Sequence, residues 1–428
     1  MRASIELVGT QGYAATTISD LLARAGVSRK AFYRHFDDKR ECLLAAYDAI
    51  VAEGVERVSD ASAGARGMRD DPAAGLEALL DHVIENPRVP RLAFVEIRAT
   101  GPEGIARREQ LVGAYERLLR RGLELTPGRG IIPNPLARAY VGGILRVLST
   151  RAPNPRALRP LLPELIRLSG SYYPAPAAVK AALCDPRPLP ARVGLAGGRA
   201  PGTLRPASGS GIAPRKAARR ARGMSRSFVI HSQRERILDA VTNLAAAKGY
   251  ASLSLEQIVE ESCLSMNVFY EHFAGKEDAF LVAHEVGQAK ARAITERALA
   301  SASDWPTGVH AGITAQLQFL ASEPAFARVA LVEALIANAR SAKRANLAIG
   351  AFAQMLAPSL EPSGDGSPYS NVTLEAIAGG IFELCLTYAV RDRVAQLSEL
   401  VPTATYFALA PFIGRVPAGR VASGHRHA

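Results

Sequence analysis

One stretch constrains this chain more than any other, because the chain carries it twice. Gly12 to Phe36 reads GYAATTISDLLARAGVSRKAFYRHF. Thr17 suits an N-cap, and Asp20 three residues on can answer it in a capping box. Ile18, Leu21, Leu22 and Ala25 then fall on one helical face. Gly26 tolerates the left-handed backbone that a sharp turn between helices needs. Ser28 can cap the next helix, where Phe32 and Phe36, spaced i and i+4, face inward. Arg29, Lys30, Tyr33, Arg34 and His35 are left outward. A capped helix, a tight turn and a helix with a donor-rich outer face describe a helix-turn-helix.

The second copy is Gly249 to Phe273, GYASLSLEQIVEESCLSMNVFYEHF. A constant offset of 237 carries Gly12, Tyr13, Ser28, Phe32, Tyr33, His35, Phe36 and Lys39 onto Gly249, Tyr250, Ser265, Phe269, Tyr270, His272, Phe273 and Lys276. The register holds further on. Val95-Glu96 matches Val332-Glu333, Arg107 matches Arg344, and Gly142-Gly143-Ile144 matches Gly379-Gly380-Ile381. A repeat this long is a duplicated domain and not a solenoid unit.

A GY, a capped helix 2, an AGVS turn and FYxHFxxK ahead of a long helix together resemble the tetracycline-repressor (TetR) family of transcriptional regulators. The resemblance implies an all-α chain of two units. Each would be a three-helix helix-turn-helix DNA-binding domain followed by a helical effector-binding and dimerisation domain. On this reading residues 1–46 are the first DNA-binding domain, its helix 1 truncated, and 47–173 the first effector domain. Residues 228–283 and 284–415 repeat the pair, and 416–428 are a polar tail. Met1 falls at the level of Leu238, inside helix 1 of the second unit. The first unit's helix 1 is therefore expected to be short by a turn or two.

Further helices are expected near Asp38–Ser62, Ala74–Glu85, Pro90–Thr100, Pro102–Leu123, Pro135–Ser149 and Arg159–Tyr172. In unit two they are expected near Arg234–Lys248, Glu277–Ala302, from Trp305, and over Pro402–Phe412. Prolines at or near the starts fit first-turn use, and strand signals are scarce. The paired glycines lie inside an apolar helix, where each costs roughly 1 kcal/mol against Ala. Close helix-helix approach is their simplest use. The resemblance places that helix in the dimer's four-helix bundle.

Between the units, 174–227 is rich in Pro, Gly, Ala and Arg and poor in large apolar residues. It reads as a basic, disordered linker. Its arginines could serve as a solvated tether or as a non-specific phosphate clamp. As a flexible coil it would reach about 40 Å, enough for unit two to fold back on unit one. The whole chain has a net charge of +12, which suits a polyanionic partner, nucleic acid before a membrane surface.

Cys42, Cys184, Cys263 and Cys385 lie far apart without metal-ligand spacing, so free thiols and no metal are expected. Neither paired carboxylates nor a nucleophile with its base nor a phosphate loop is legible, so the chain does not read as an enzyme, and no cofactor is implied. The N-terminus has no apolar leader pattern. The most apolar run, Ala376–Val390, is broken by Glu383 and short of the about 20 residues that a bilayer takes. A cytoplasmic protein with no membrane partner is expected.

The resemblance supplies candidate DNA contacts. Arg29 and Lys30 stand at the start of helix 3, where base edges are reached and either could pair with a guanine. Tyr33 and His35 match phosphate-contacting positions of the family. Thr17 and Lys39 open helices 2 and 4, and Ser28 caps helix 3. The offset adds Ser254, Ser265, Met266, Asn267, Tyr270, His272 and Lys276. Unit two departs from the pattern: Ser262-Cys263 replaces Ala25-Gly26, and SMNVFYEHF carries no Arg or Lys. The expected function is a ligand-released repressor of operator DNA. Its partners would be double-stranded operator DNA and an apolar small-molecule effector. It would self-associate as an intramolecular pseudo-dimer or as a homodimer. The alternative is a small-molecule-sensing helical module with weak or vestigial DNA binding.

Overall fold

The computed structural model describes residues 1–63, 72–125, 132–173, 226–357 and 371–424. It is all-α, in two units that repeat one helix order, with no strand among the described residues. Unit one comprises α1 (Arg2–Gln11), α2 (Ile18–Ala25), α3 (Arg29–Phe32), α4 (Lys39–Ala63), α5 (Pro72–Glu85), α6 (Pro102–Leu125), α7 (Asn134–Thr150) and α8 (Leu162–Gly170). Unit two opens with α9 (Arg226–Lys248), α10 (Leu255–Ser262), α11 (Met266–His272), α12 (Lys276–Ala300), α13 (Trp305–Ser322), α14 (Pro324–Arg328) and α15 (Ala334–Ile336). It closes with α16 (Ala339–Met355), α17 (Asn371–Val390), α18 (Val401–Ile413) and α19 (Arg415–Ala422).

Several boundaries differ from the sequence expectation, each for a local reason. Pro90–Thr100 is not one α-helix. A π-helical turn, Arg91–Val95, runs into a 3-10 turn, Glu96–Thr100. Unit two repeats the π turn at Val329–Glu333. Arg159–Tyr172 also divides, into a 3-10 turn over Pro155–Leu161 and then α8. Pro160 and Pro163 each lack the N–H that a continuous α-helix would need there. The segment expected as a polar tail holds α19, whose Ala418, Gly419 and Ala422 are buried. The expected linker falls on 174–225, outside the described residues, and its last two positions, 226 and 227, already belong to α9. The run EPSGDGSPYS, 361–370, reads as a loop that breaks the helices and lies outside them too.

The apolar run near Ala376 is longer than read from sequence. It begins at Asn371, and α17 is long and apolar enough to cross a membrane by length and composition. It lies instead in the protein interior, against α7. The two helices meet through their glycines. A Cβ on Gly143 would collide with the Ala376 carbonyl, and one on Gly380 with that of Ala139. A Cβ on Gly142 would strike Glu383, and one on Gly379 would strike Arg146. All four contacts obey the 237 offset, so the two helices are related by a pseudo-two-fold. The backbones can approach this closely only because no Cβ intervenes.

One apolar core runs through both halves, with Ile144 and Leu148 of α7 beside Ile377 and Ile381 of α17. Tyr172 stacks on Phe407 with ring centroids 4.5 Å apart, and Tyr406 donates to the Tyr172 carbonyl at 3.2 Å. Burying an aromatic of this size stabilises by about 1.5–3 kcal/mol. The headpieces have small cores of their own. That of unit two gathers Ile237, Val241, Ile258, Phe269, Phe273 and Phe280. That of unit one rests on Leu21, Phe32 and Cys42, with Phe36 only partly covered.

Candidate nucleic-acid interface and effector cavity

The caps form as their residue types dictate. Thr17 accepts from the Asp20 N–H at 3.1 Å, and Asp20 accepts from the Thr17 N–H at 2.8 Å. The Thr17 backbone N–H, and after it the Thr17 hydroxyl at 2.7 Å, hold the Asp20 carboxyl below the usual range. Ser254 and Gln257 make the same box in unit two. Gly26 ends α2 in the left-handed region, φ 65°. Cys263, its counterpart, adopts the same conformation at φ 50° despite its side chain. The turn therefore survives the loss of glycine, at a cost of roughly 1–2 kcal/mol. Arg236 of α9 supports it by donating to the Ser262 and Cys263 carbonyls, the latter at 3.1 Å.

Ser28 caps α3, accepting from Ala31 at 3.2 Å, and Ser265 caps α11, accepting from Val268 at 3.3 Å. Helix 3 is shorter in unit one than expected: it stops at Phe32, whereas α11 continues to His272. In unit two, α9 braces this helix. Gln233 lies 3.5 Å from His272, and Arg234 sits over the Phe273 ring at 5.6 Å. The 237 offset places the counterparts of both residues ahead of Met1.

The outward faces are as follows. Arg29, Lys30, Tyr33 and His35 are exposed on unit one, and Asn267 and Tyr270 on unit two. Ser28 and Ser265 are exposed, while Met266 and His272 are half-buried. Tyr33 and Tyr270 expose 47% and 55% of their surface. Each also packs edge-on against the buried Phe before it, Phe32 or Phe269. Glu271 is exposed on the same helix as Asn267.

Lys39 and Lys276 turn inward. Lys39 Nζ donates to the Thr16 carbonyl at 2.9 Å and to that of Tyr13 at 3.2 Å, lying 4.5 Å from the Tyr13 ring centroid. Lys276 Nζ donates to Leu253 at 2.8 Å and sits 5.0 Å from the Tyr250 ring. Both lysines thus pin the loop that precedes helix 2.

The joint between headpiece and body is also made twice. Gly12 and Gly249 end their helices at φ 90° and 81°, which turns the next N–H toward the body. Tyr13 N–H donates to Glu96 Oε2 at 2.9 Å, and Tyr250 N–H to Glu333 Oε2 at 3.0 Å. Burial raises the Glu333 pKa, opposed by the Tyr250 N–H and then by Arg328. Sequence reading noted that Val95-Glu96 repeats as Val332-Glu333 but gave it no role. The partners lie far apart in the chain, so only the fold brings them together.

Unit two holds a cavity of ≈320 Å³, open on one side, lined by His284, Gln288, Leu317, Leu331, Phe352 and Cys385 among others. Such volume and lining suit a small, mostly apolar molecule. His284 is buried, and its Nδ1 has no hydrogen-bond partner. In unit one the offset places Tyr47, Phe94, Arg108 and Tyr115 where His284, Leu331, Ala345 and Phe352 stand, and all four are buried. These larger side chains fill the equivalent space. A smaller hollow of ≈70 Å³ remains beside Tyr115 and Tyr140.

Comparison with known proteins agrees with this geometry. The family model described as "Bacterial regulatory proteins, tetR family" matches residues 1–46 and again 237–283. An uncharacterized HTH-type transcriptional regulator, YerO of Bacillus subtilis (strain 168), is 33% identical over 60 residues, 14% of this chain. The match spans 21% of that relative's own length. An uncharacterized HTH-type transcriptional regulator in the lacX 3' region of Lactococcus lactis subsp. lactis is 24% identical over 153 residues, 34% of this chain and 76% of that protein. Two headpieces of one design, each matched by the same family model and each followed by the same order of long helices, make this chain a tandem duplication whose two headpieces are of the tetR family of bacterial regulatory proteins.

Proposed function

We propose that the chain is a DNA-binding transcriptional regulator that works as a single-chain pseudo-dimer and is released from its operator by a small apolar effector. The observation that carries this is the pair of equivalent helix-turn-helix faces, each fixed through a glutamate, Glu96 or Glu333, to one shared core. Helix 3 of such a motif enters the major groove. In unit one Arg29 and Lys30 would read base edges, and in unit two Asn267 would read an adenine and Met266 a thymine methyl. Thr17, Tyr33, His35, Ser254, Tyr270 and His272 would fix the backbone, with Ser28 and Ser265 at the helix starts. Lys39 and Lys276 serve this by holding the loop in place.

The effector would enter the cavity of unit two. Ala330 and Leu331 of the Val329–Glu333 π turn line that cavity, and Glu333 at the end of the turn holds the second headpiece. A ligand that moves the turn moves the headpiece. The two faces then cease to match successive major grooves, roughly 34–36 Å apart.

The test is selection of bound DNA from a random pool by the purified chain, followed by effect of substitution. Arg29→Ala/Lys30→Ala should weaken binding to the selected site more than Met266→Ala/Asn267→Ala does, each lost base contact costing about 1–3 kcal/mol. Failure to enrich any sequence would overturn the operator reading. It would favour instead a ligand-sensing module with vestigial DNA binding, for which the second helix 3, without Arg or Lys and with an exposed Glu271, speaks.

A further inference from the structure

Two positions on each interface helix decide which surfaces can meet. On α7 they are Arg138 and Arg146, and at the 237 offset on α17 they are Glu375 and Glu383. Arg146 passes over Gly379 and Glu383 passes over Gly142, where the missing Cβ leaves room for each stem. Beyond the glycine, Glu383 Oε1 comes to 3.8 Å from Arg138 Nη2, and Arg146 Nε to 3.9 Å from Glu375 Oε1. These are one contact made twice about the pseudo-two-fold, with the signs exchanged.

The surroundings act unequally: Arg138 is also paired within unit one, with Glu109 Oε2 at 2.5 Å and Glu116 Oε2 at 3.4 Å, which leaves Glu383, Glu375 and Arg146 to carry most of the discrimination. Arg108 Nη2 reaches Glu383 Oε2 at 2.7 Å, and Arg151 Nη1 reaches Glu375 Oε2 at 2.5 Å. Arg146 also donates to the Asn346 carbonyl at 3.1 Å. Glu383 and Arg138 are almost wholly buried, and Arg146 and Glu375 largely so. Charges this far from solvent are weakly screened, so an unmatched sign is not relieved by salt.

The same geometry can be applied to like halves. α7 against a second α7 would carry each Arg146 to the other's Arg138. α17 against a second α17 would carry each Glu383 to the other's Glu375. Both are like-charge contacts on a buried surface, the repulsive element on which partner discrimination depends.

We infer that positions 138, 146, 375 and 383 form a pairing code, through which the surface of each half accepts the other half and rejects a second copy of itself. The inference rests on the single-chain pairing proposed above and adds what enforces it. The test uses the full chain and light scattering at low micromolar concentration, with thermal melting alongside. The native chain should scatter as one chain, 45.5 kDa. A stable two-chain mass for the native chain would refute the pairing itself. Arg146→Glu opposes Glu375 within the chain but complements Arg138 of another copy. Glu375→Arg opposes Arg146 but complements Glu383 of another copy. Each single variant should melt lower and shift toward the two-chain mass. The double variant Arg146→Glu/Glu375→Arg restores opposite signs within the chain; it also complements another copy, so at low micromolar concentration the higher effective concentration of the tethered half should return it to the one-chain mass and most of the melting temperature. Should the single variants fail to fold, recovery in the double variant still decides. A native one-chain mass with unchanged single variants, or a double variant no better than either single, would overturn the code and leave the pairing standing.

Discussion

His284 lines the cavity of unit two with one ring nitrogen unpartnered, and burial pushes its pKa down to about 4. Arg344 adds to the depression and Glu285 opposes it. The imidazole is therefore neutral in the folded chain and titrates near 6.5 when unfolded. Unfolding below pH 6.5 takes up a proton. The stability tied to this residue is fully present above pH 6.5 and is lost as pH falls toward 4, about 3 kcal/mol in all and about 2 kcal/mol by pH 5. Urea melts at pH 7 and pH 5 should show a smaller gap in His284→Gln than in the native chain. An equal gap would show that His284 is not the group responsible. At this scale the sequence was readable wherever a residue acts on its near neighbours. Thr17 with Asp20, Gly26, and Ser28 all behave as their types suggest. Lys39 was read as a DNA contact opening helix 4, and its ammonium answers two carbonyls of the loop before helix 2. Such a bond depends on the path of the loop, which residue type alone does not set.

The π turns are the elements that sequence periodicity least exposed. Pro90–Thr100 has the apolar spacing of an ordinary helix, and a wide turn differs from it by one residue in hydrogen-bond register. What selects the wide turn is tertiary: Glu96 and Glu333 must meet an N–H at the end of a distant helix. Glu333→Ala should remove that bond and leave the Tyr250 N–H without its acceptor, costing about 1–3 kcal/mol. Hydrogen exchange should then rise through α9, α10 and α11 while α17 and α18 keep their protection. Uniform loosening of both regions would mean that the joint is not a local hinge. The glycine pairs were legible as a close approach, but their partners were not. Sequence placed Arg146 and Glu383 at matching positions, and the structure sends each instead to a residue two turns back on the opposite helix. That diagonal follows from the crossing of the helices, which only packing determines.

Across the whole molecule the duplication has kept one architecture and divided its contents. Unit one carries the basic helix 3 and a body filled by Tyr47, Phe94, Arg108 and Tyr115. Unit two carries the helix 3 without Arg or Lys, and the cavity. Giving unit two the residues of unit one, as His284→Tyr/Leu331→Phe, should fill the cavity. Cavity filling commonly stabilises by about 0.5–2 kcal/mol. The variant should melt higher and take up less of an apolar fluorescent probe than the native chain. A variant that melts lower and binds the probe unchanged would place the binding site elsewhere.

The common core that joins the halves also has a genetic meaning. An ordinary dimeric regulator exchanges subunits, so a defective copy made in the same cell drags sound copies into inactive mixtures. A regulator that works as the proposed single-chain pseudo-dimer would have no subunit to exchange. Far from saturation, its occupancy of a DNA site would rise in proportion to the number of chains, without an assembly threshold. A damaged copy should leave intact ones untouched, and mutations in this protein should therefore behave as recessive where those of a two-chain regulator would be dominant.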